Sequence, residues 1–327
     1  MMAIQPLTIW TNYQFPPAAE KMFEAGLGAH RLVRSSNMQA SNLVAGAADP
    51  TMGQADIVFG QPDPAAVIAA PRVKWIQLTS AGYDRYDRPD LRQALTSRGG
   101  ALTNSGSVYE EPCAEHVFAM MMSLARQLPQ SLDTQRGDRS WPIDERRINS
   151  FLLTGQTVVI LSYGTIARRL IELLAPFRMK IYAVRRQVQG NEVVETVTEN
   201  DVARVLPLAD HVINILPGGA ATKQFVNADR FSQMKRGSIF YNIGRGGTVD
   251  QTALLAALDS GQVRYAYLDV MDPEPLPPSH PLWAHRSCFI TPHTAGGSAD
   301  EFERLAQHFI DNLRRFEASQ ALKDRVI

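Results

Sequence analysis

Short, mostly apolar runs, several of them closed by glycine, proline or serine, recur along this chain and alternate with stretches of helical pattern. Residues 57–59 and 75–78 are such runs, and so are 157–161, 180–184, 209–215, 237–243, 265–270 and 288–290. A strand apolar on both faces belongs in a sheet covered on both sides, which means parallel strands joined by crossover helices. The helical stretches have matching ends: 16–26 opens on proline and closes on glycine, and 165–174 follows a glycine-containing turn. Those are the residues that start and stop helices. The alternation predicts an α/β protein, and 327 residues are enough for two cores.

Lysine plus arginine and aspartate plus glutamate both total 33, so the net charge is zero. That balance argues against nucleic acid or an anionic membrane as an obligate partner. Residues 1–15 lack the basic start, apolar core and small-residue cleavage site of a signal peptide. The densest apolar helical segment, 117–125, is too short to cross a bilayer. Cys113 and Cys288 are the two cysteines and allow no disulfide framework. No cluster of His, Cys and Asp has metal-ligand spacing. The expectation is a cytoplasmic protein without a metal, a nucleic-acid partner or a membrane partner.

Residues 240–298 concentrate the chemistry. They read FYNIGRGGTVD, then YLDVMDPEPLPP, then FITPHTAGGS. Arg245, Glu274 and His293 each stand just past an apolar run, where open α/β sheets bind ligands. A guanidinium can bind a keto acid through a fork of donors, and an imidazole can deliver a proton. A carboxylate beside that imidazole favours its charged form. These three segments resemble the signatures of the D-isomer-specific 2-hydroxyacid dehydrogenases. LTSAGYDRYD, from Leu78, and the segment 104–129 resemble further segments of that family, so the likeness covers nearly the whole chain. It implies Arg245 as a substrate ligand, His293 as acid/base and Glu274 as its hydrogen-bonded partner. Glutamate, where the formate dehydrogenase branch has glutamine, fits a proton-relaying enzyme.

The loop 79–84 follows one of the apolar runs, and its Ala81 and Gly82 let backbone amides approach an anion closely. The resemblance makes these amides the holders of the substrate carboxylate. Between 157–161 and 165–174 lies Ser162-Tyr163-Gly164-Thr165-Ile166-Ala167. This is a dinucleotide fingerprint with its second glycine kept, its third as alanine and its first replaced by serine. The diphosphate is expected on the helix amino terminus, over the amides of Gly164, Thr165 and Ile166. Ser162 is expected to strain the turn if that position needs a positive φ.

Arg185 stands 185 − 164 = 21 positions after Gly164, where NAD sites place an acidic residue. Paired guanidiniums of Arg185 and Arg186 would instead clamp a 2′-phosphate, so NADP is the expected cofactor, with NAD possible. The resemblance adds Leu216, Pro217, Ile243, Asp269 and Gly296 to the cofactor site, Asp269 facing the nicotinamide carboxamide. His116, His211, His280 and His285 read as structural.

A long apolar helix over 110–126 is expected to be buried and to lead into a second domain. The polar stretch 130–150 carries an isolated Trp141, packed on its own helix or reaching toward a partner. The resemblance favours a homodimer built through that arm. A terminal helix over 299–318 bears Phe302, Leu305, Phe309, Leu313 and Phe316 on one stripe. The resemblance returns it to the first domain.

The expected architecture is two Rossmann-like, doubly wound parallel-sheet domains with a cleft between them. Residues 1–103 plus 297–327 form a discontinuous substrate domain, and 104–296 the dinucleotide-binding domain. The expected activity is hydride transfer between NADP(H) and a small 2-keto or 2-hydroxy acid of glyoxylate or hydroxypyruvate type. The alternatives are an NAD-dependent D-2-hydroxyacid dehydrogenase working oxidatively and a non-catalytic nucleotide-sensing protein.

Overall fold

A computed structural model describes residues 5–41 and 46–327. Residues 1–4, the start of the stretch searched for a signal peptide, lie outside them. The chain divides into two compact units, Met1–Tyr109 with Ser298–Ile327, and Glu110–Gly297. The division falls inside the helix Gly106–Ala125. Each unit is a parallel sheet with helices.

The first unit holds β1 (Thr8–Tyr13), β2 (Arg31–Gln39), β3 (Ile57–Gly60), β4 (Trp75–Leu78) and β5 (Ala101–Thr103). They lie in the order β2-β1-β3-β4-β5, all parallel. β1, β3 and β4 are central and almost wholly buried, which is why they show no alternation of apolar and polar faces; the polar Thr11, Asn12 and Gln77 are buried with the rest. The terminal helix, Glu301–Glu317, covers one face. Phe309 stacks on Trp75 at 5.2 Å and joins Phe23 and Phe59 in an aromatic cluster. A Cβ at Gly26, the last residue of helix Pro17–Gly26, would overlap Ile310, so glycine there permits the helix pair.

The second unit holds β6 (Thr157–Leu161), β7 (Lys180–Val184), β8 (Glu195–Val197) and β9 (His211–Asn214). β10 (Ser238–Asn242), β11 (Val263–Leu268) and β12 (Cys288–Ile290) complete it. The order is β12-β11-β10-β9-β6-β7-β8, so the winding reverses between β6 and β9. That reversal is the switch point at which doubly wound sheets bind ligands. β9 and β11 are shorter or earlier than their apolar runs, because Ile215 and Val270 continue past the last paired residue.

The helix Gly106–Ala125 is less buried than its composition predicts. Ala114, Val117, Met121, Leu124 and Ala125 are covered, whereas Phe118, Met120 and Met122 are only half so and Ala119 is exposed. After it, Leu128–Arg136 and Ile143–Asn149 are two helices without a buried residue. Among the described residues no helix is long and apolar enough to cross a membrane, and no acidic, His and Cys group could hold a metal ion.

Candidate active site

Arg245, Glu274 and His293 all belong to the second unit and follow β10, β11 and β12, three neighbouring strands. Nδ1 of His293 lies 2.8 Å from Oε2 of Glu274, a hydrogen bond in which the ring N–H donates. The other carboxylate oxygen accepts from the Met271 amide at 2.8 Å. Burial works to raise the Glu274 pKa. The hydrogen bonds from His293 and Met271, with the charges of His293 and Arg245, outweigh it and hold the carboxyl below its usual range. Arg245 is therefore close enough for its charge to act on the pair.

Glycines and buried amides set the Arg245 loop. A Cβ at Gly244 would stand 2.6 Å from the Leu216 carbonyl, and one at Gly246 would overlap the Met271 carbonyl. The main chain on either side of Arg245 thus runs hard against the ends of two neighbouring connections. Asn214 donates to Asn242 at 3.0 Å and to Thr248 at 2.7 Å, and the Thr248 hydroxyl donates to the Arg245 carbonyl at 2.6 Å. Asp250 then caps helix Gln251–Asp259 by accepting from the amides of Thr252 and Ala253.

His293 sits in a strained loop, with φ of 54°. Asp269 holds that loop. Its carbonyl accepts from the His293 amide at 2.8 Å, and its carboxylate accepts from the Thr291 hydroxyl at 2.6 Å and the Thr294 and Ala295 amides at 2.8 and 3.0 Å. The Thr291 hydroxyl also accepts from Tyr267 at 2.7 Å, and His116 Nε2 lies 2.8 Å from the Tyr267 hydroxyl. Burial lowers the His116 pKa against the pull of Asp269. Gly296 lies in the turn that closes when the Gly297 amide donates to the Thr294 carbonyl.

At the switch point, the turn after β6 reaches helix Thr165–Leu174 through Gly164 as N-cap, with no side chain capping it. The first amides of that helix, including those of Thr165 and Ile166, are left for an anion. A Cβ at Gly164 would have only the Ser162 hydroxyl within 4 Å, at 3.8 Å, so the approach is open. These features fit a dinucleotide diphosphate. Ser162 has φ of 147°, a glycine region, so the serine is strained as the sequence predicts for a positive φ. Leu216 and Ile243 are buried beyond the ends of β9 and β10, and Pro217 is half-covered with its carbonyl accepting from Thr222 at 2.7 Å.

In the first unit, the loop after β4 has its carbonyls tied back. Asn104 donates to the Ala81 carbonyl at 2.6 Å, the Ser80 hydroxyl to the Gly82 carbonyl at 2.6 Å, and the Ser105 amide to the Ser80 carbonyl at 3.0 Å. Gln61 holds Thr79 and Ser80 from beneath. The Ala81 and Gly82 amides donate to nothing among the described residues and remain available to an anion.

Residues 118–295 match the sequence profile of the NAD-binding domain of D-isomer specific 2-hydroxyacid dehydrogenases. The chain belongs to this family. It is 31% identical to glyoxylate/hydroxypyruvate reductase B of Citrobacter koseri over 246 residues, covering 74% of each chain. It is 29% identical over 255 residues to a glyoxylate reductase of Thermofilum pendens, covering 75% of this chain and 72% of that one. An NADPH-dependent glyoxylate/hydroxypyruvate reductase of Sinorhizobium meliloti, in complex with NADP and malonate, superposes with a TM-score of 0.72. It is 25% identical, with coverage of 98% of this chain and 97% of that one. The protein is thus a 2-hydroxyacid dehydrogenase, an oxidoreductase with a Rossmann-type half for a nicotinamide cofactor.

Beyond β7 this dehydrogenase departs from a simple pair of phosphate-binding arginines. Arg185 donates to Glu192 at 2.7 Å and lies over the Tyr163 ring, 5.6 Å from its centroid. Arg186 is exposed. The other histidines have structural partners. His211 is buried between Gln156 and Tyr241, which pushes its pKa down to about 4, His280 caps a short turn, and His285 faces Asp259 at 3.4 Å. Sequence reading missed Thr291, Asn214, Asn242 and Glu192. The first stands two residues before His293 and could have been found by its spacing; the others carry no local signal.

Proposed function

We propose that this dehydrogenase reduces a small 2-keto acid of the glyoxylate or hydroxypyruvate type with NADPH. The observation that carries the reading is the 2.8 Å pair of His293 and Glu274, with Arg245 acting on it from the next strand end. A bound nicotinamide supplies the hydride. Arg245 binds the carboxylate and keto oxygen of the substrate, and His293, held by Glu274, gives a proton to the oxygen that becomes the hydroxyl. Asp269 and Thr291 orient His293. In the first unit the free amides of Ala81 and Gly82 suit a carboxylate, and in the second those of Gly164, Thr165 and Ile166 suit the cofactor diphosphate. Leu216, Pro217, Ile243, Asp269 and Gly296 line the cofactor, and arginine in place of an acidic residue after β7 favours NADP over NAD. Residues 1–103 plus 297–327 serve as substrate domain and 104–296 as cofactor domain.

Steady-state assays with NADPH and NADH against 2-keto acids of increasing length test this. Turnover of glyoxylate or hydroxypyruvate with NADPH is expected, and His293→Ala should abolish it while NADPH still binds. More than a tenth of the turnover left in that variant would reject His293 as the acid. Preference for NADH would reject the cofactor assignment, and turnover confined to longer acids would reject the substrate class.

We also propose a homodimer through the arm 130–150 and the residues beside it, acting in the cytoplasm. Trp141 is 88% exposed, Ile148 84% and Leu152 68%, and Trp141 and Ile143 line a groove of about 820 Å³. Apolar side chains so exposed on one segment support burial against a second copy.

A further inference from the structure

The segment between β7 and β8 contains an ion pair whose purpose the proposed reaction does not explain. The Glu192 side chain is only 3% exposed, although it lies in a polar loop. One of its oxygens accepts from Arg185 and from the Gln189 amide at 2.8 Å, and the other from the Gly190 amide at 2.8 Å. Next to it, the Val193 amide donates to the Tyr163 hydroxyl at 3.0 Å. Tyr163 comes from the fingerprint turn, and its ring lies beside the Arg185 guanidinium. One carboxylate thus folds residues 189–192 back on β7, and one phenol fastens the following residue to the nucleotide turn. The Arg185 charge is answered by Glu192 inside the loop. Arg186 follows it in the chain, exposed and with no ion pair among the described residues.

We propose that the two arginines have different tasks: Arg186 is the contact for the cofactor 2′-phosphate and sets NADP over NAD, whereas Arg185 is a positioning residue. With Glu192 and Tyr163, Arg185 shapes the wall against which the adenosine half of either cofactor rests. The inference rests on the NADP reading above and says which guanidinium carries it. A single charge-assisted pair is enough for the selectivity, because an unanswered guanidinium beside a phosphate makes short, strong hydrogen bonds. A guanidinium already paired with a carboxylate adds little net charge.

Binding of 2′,5′-ADP and of 5′-AMP, measured calorimetrically on the whole protein, separates the tasks. Wild type should bind 2′,5′-ADP more tightly. Arg186→Ala should lose about tenfold in affinity for 2′,5′-ADP while binding 5′-AMP as before. Arg185→Ala should weaken both fragments by a similar factor, leaving their ratio within about twofold of wild type, and Arg185→Lys, which can keep the ion pair, should recover most of the loss; Glu192→Gln should weaken 5′-AMP, since the wall loses its tie. Loss of 2′,5′-ADP alone in Arg185→Ala, with Arg186→Ala unchanged, would overturn the division of tasks. So would 5′-AMP binding that is indifferent to both Arg185→Ala and Glu192→Gln. Wild-type protein that binds the two fragments equally would instead reject the NADP reading and, with it, the role given to Arg186.

Discussion

Glu274 does two things at once, and they can be measured apart. In the proposed reaction it supports the His293 ring as proton donor, so Glu274→Gln should lower kcat/KM for reduction by about a hundredfold with NADPH affinity unchanged. A fall of less than threefold would remove it from the proton-donating pair. Its pKa is held below the usual range, so the carboxylate stabilises the fold above the ordinary value of about 4.3 and loses that effect as pH falls through the lower, folded value. The melting-temperature advantage of wild type over Glu274→Gln at pH 7 should accordingly disappear on acidification below about pH 4. A gap that persists there would point to packing instead. Residue types at strand ends made Arg245, Glu274 and His293 legible in the sequence. Glu192 was not, because a glutamate in a polar loop looks solvated until the chain folds back over it.

The turn after β6 shows what an element can tolerate. With φ of 147°, Ser162 occupies backbone space that costs a side chain about 1–3 kcal/mol. Ser162→Gly should relieve this and, after glycine's larger unfolded-state entropy, raise the melting temperature by about 2–4 °C. A lower melting temperature would mean that the serine makes an offsetting contact. Three strands were readable to the residue: 157–161, 180–184 and 288–290 are the bounds observed for β6, β7 and the apolar edge strand β12. The edge strands β2 and β8 were not. RLVRSSNMQ and ETV are polar or mixed because one side of an edge strand faces away from its sheet, so no apolar run betrays them.

At the scale of the molecule, the arm is the outstanding unsolved surface. Trp141→Ser should shift a dimer toward monomer in sedimentation at micromolar concentration, since a large aromatic is a typical anchor of such interfaces. Unchanged sedimentation, or a wild-type monomer, would dispose of the arm as an interface. Composition had left Trp141 either packed or reaching out, and only the fold exposes it. It is the same with the strained His293 loop, whose four bonds to Asp269 join residues more than twenty positions apart. By itself the sequence determined the α/β class, most of the buried strands and which side chains to propose for the chemistry, because burial and reactivity are written in residue type. The tertiary structure alone decided what those side chains touch: which carboxylate answers Arg185, what holds His293, and which amides stay unpaired. Such pairings depend on distances that exist only once separated segments have been packed together.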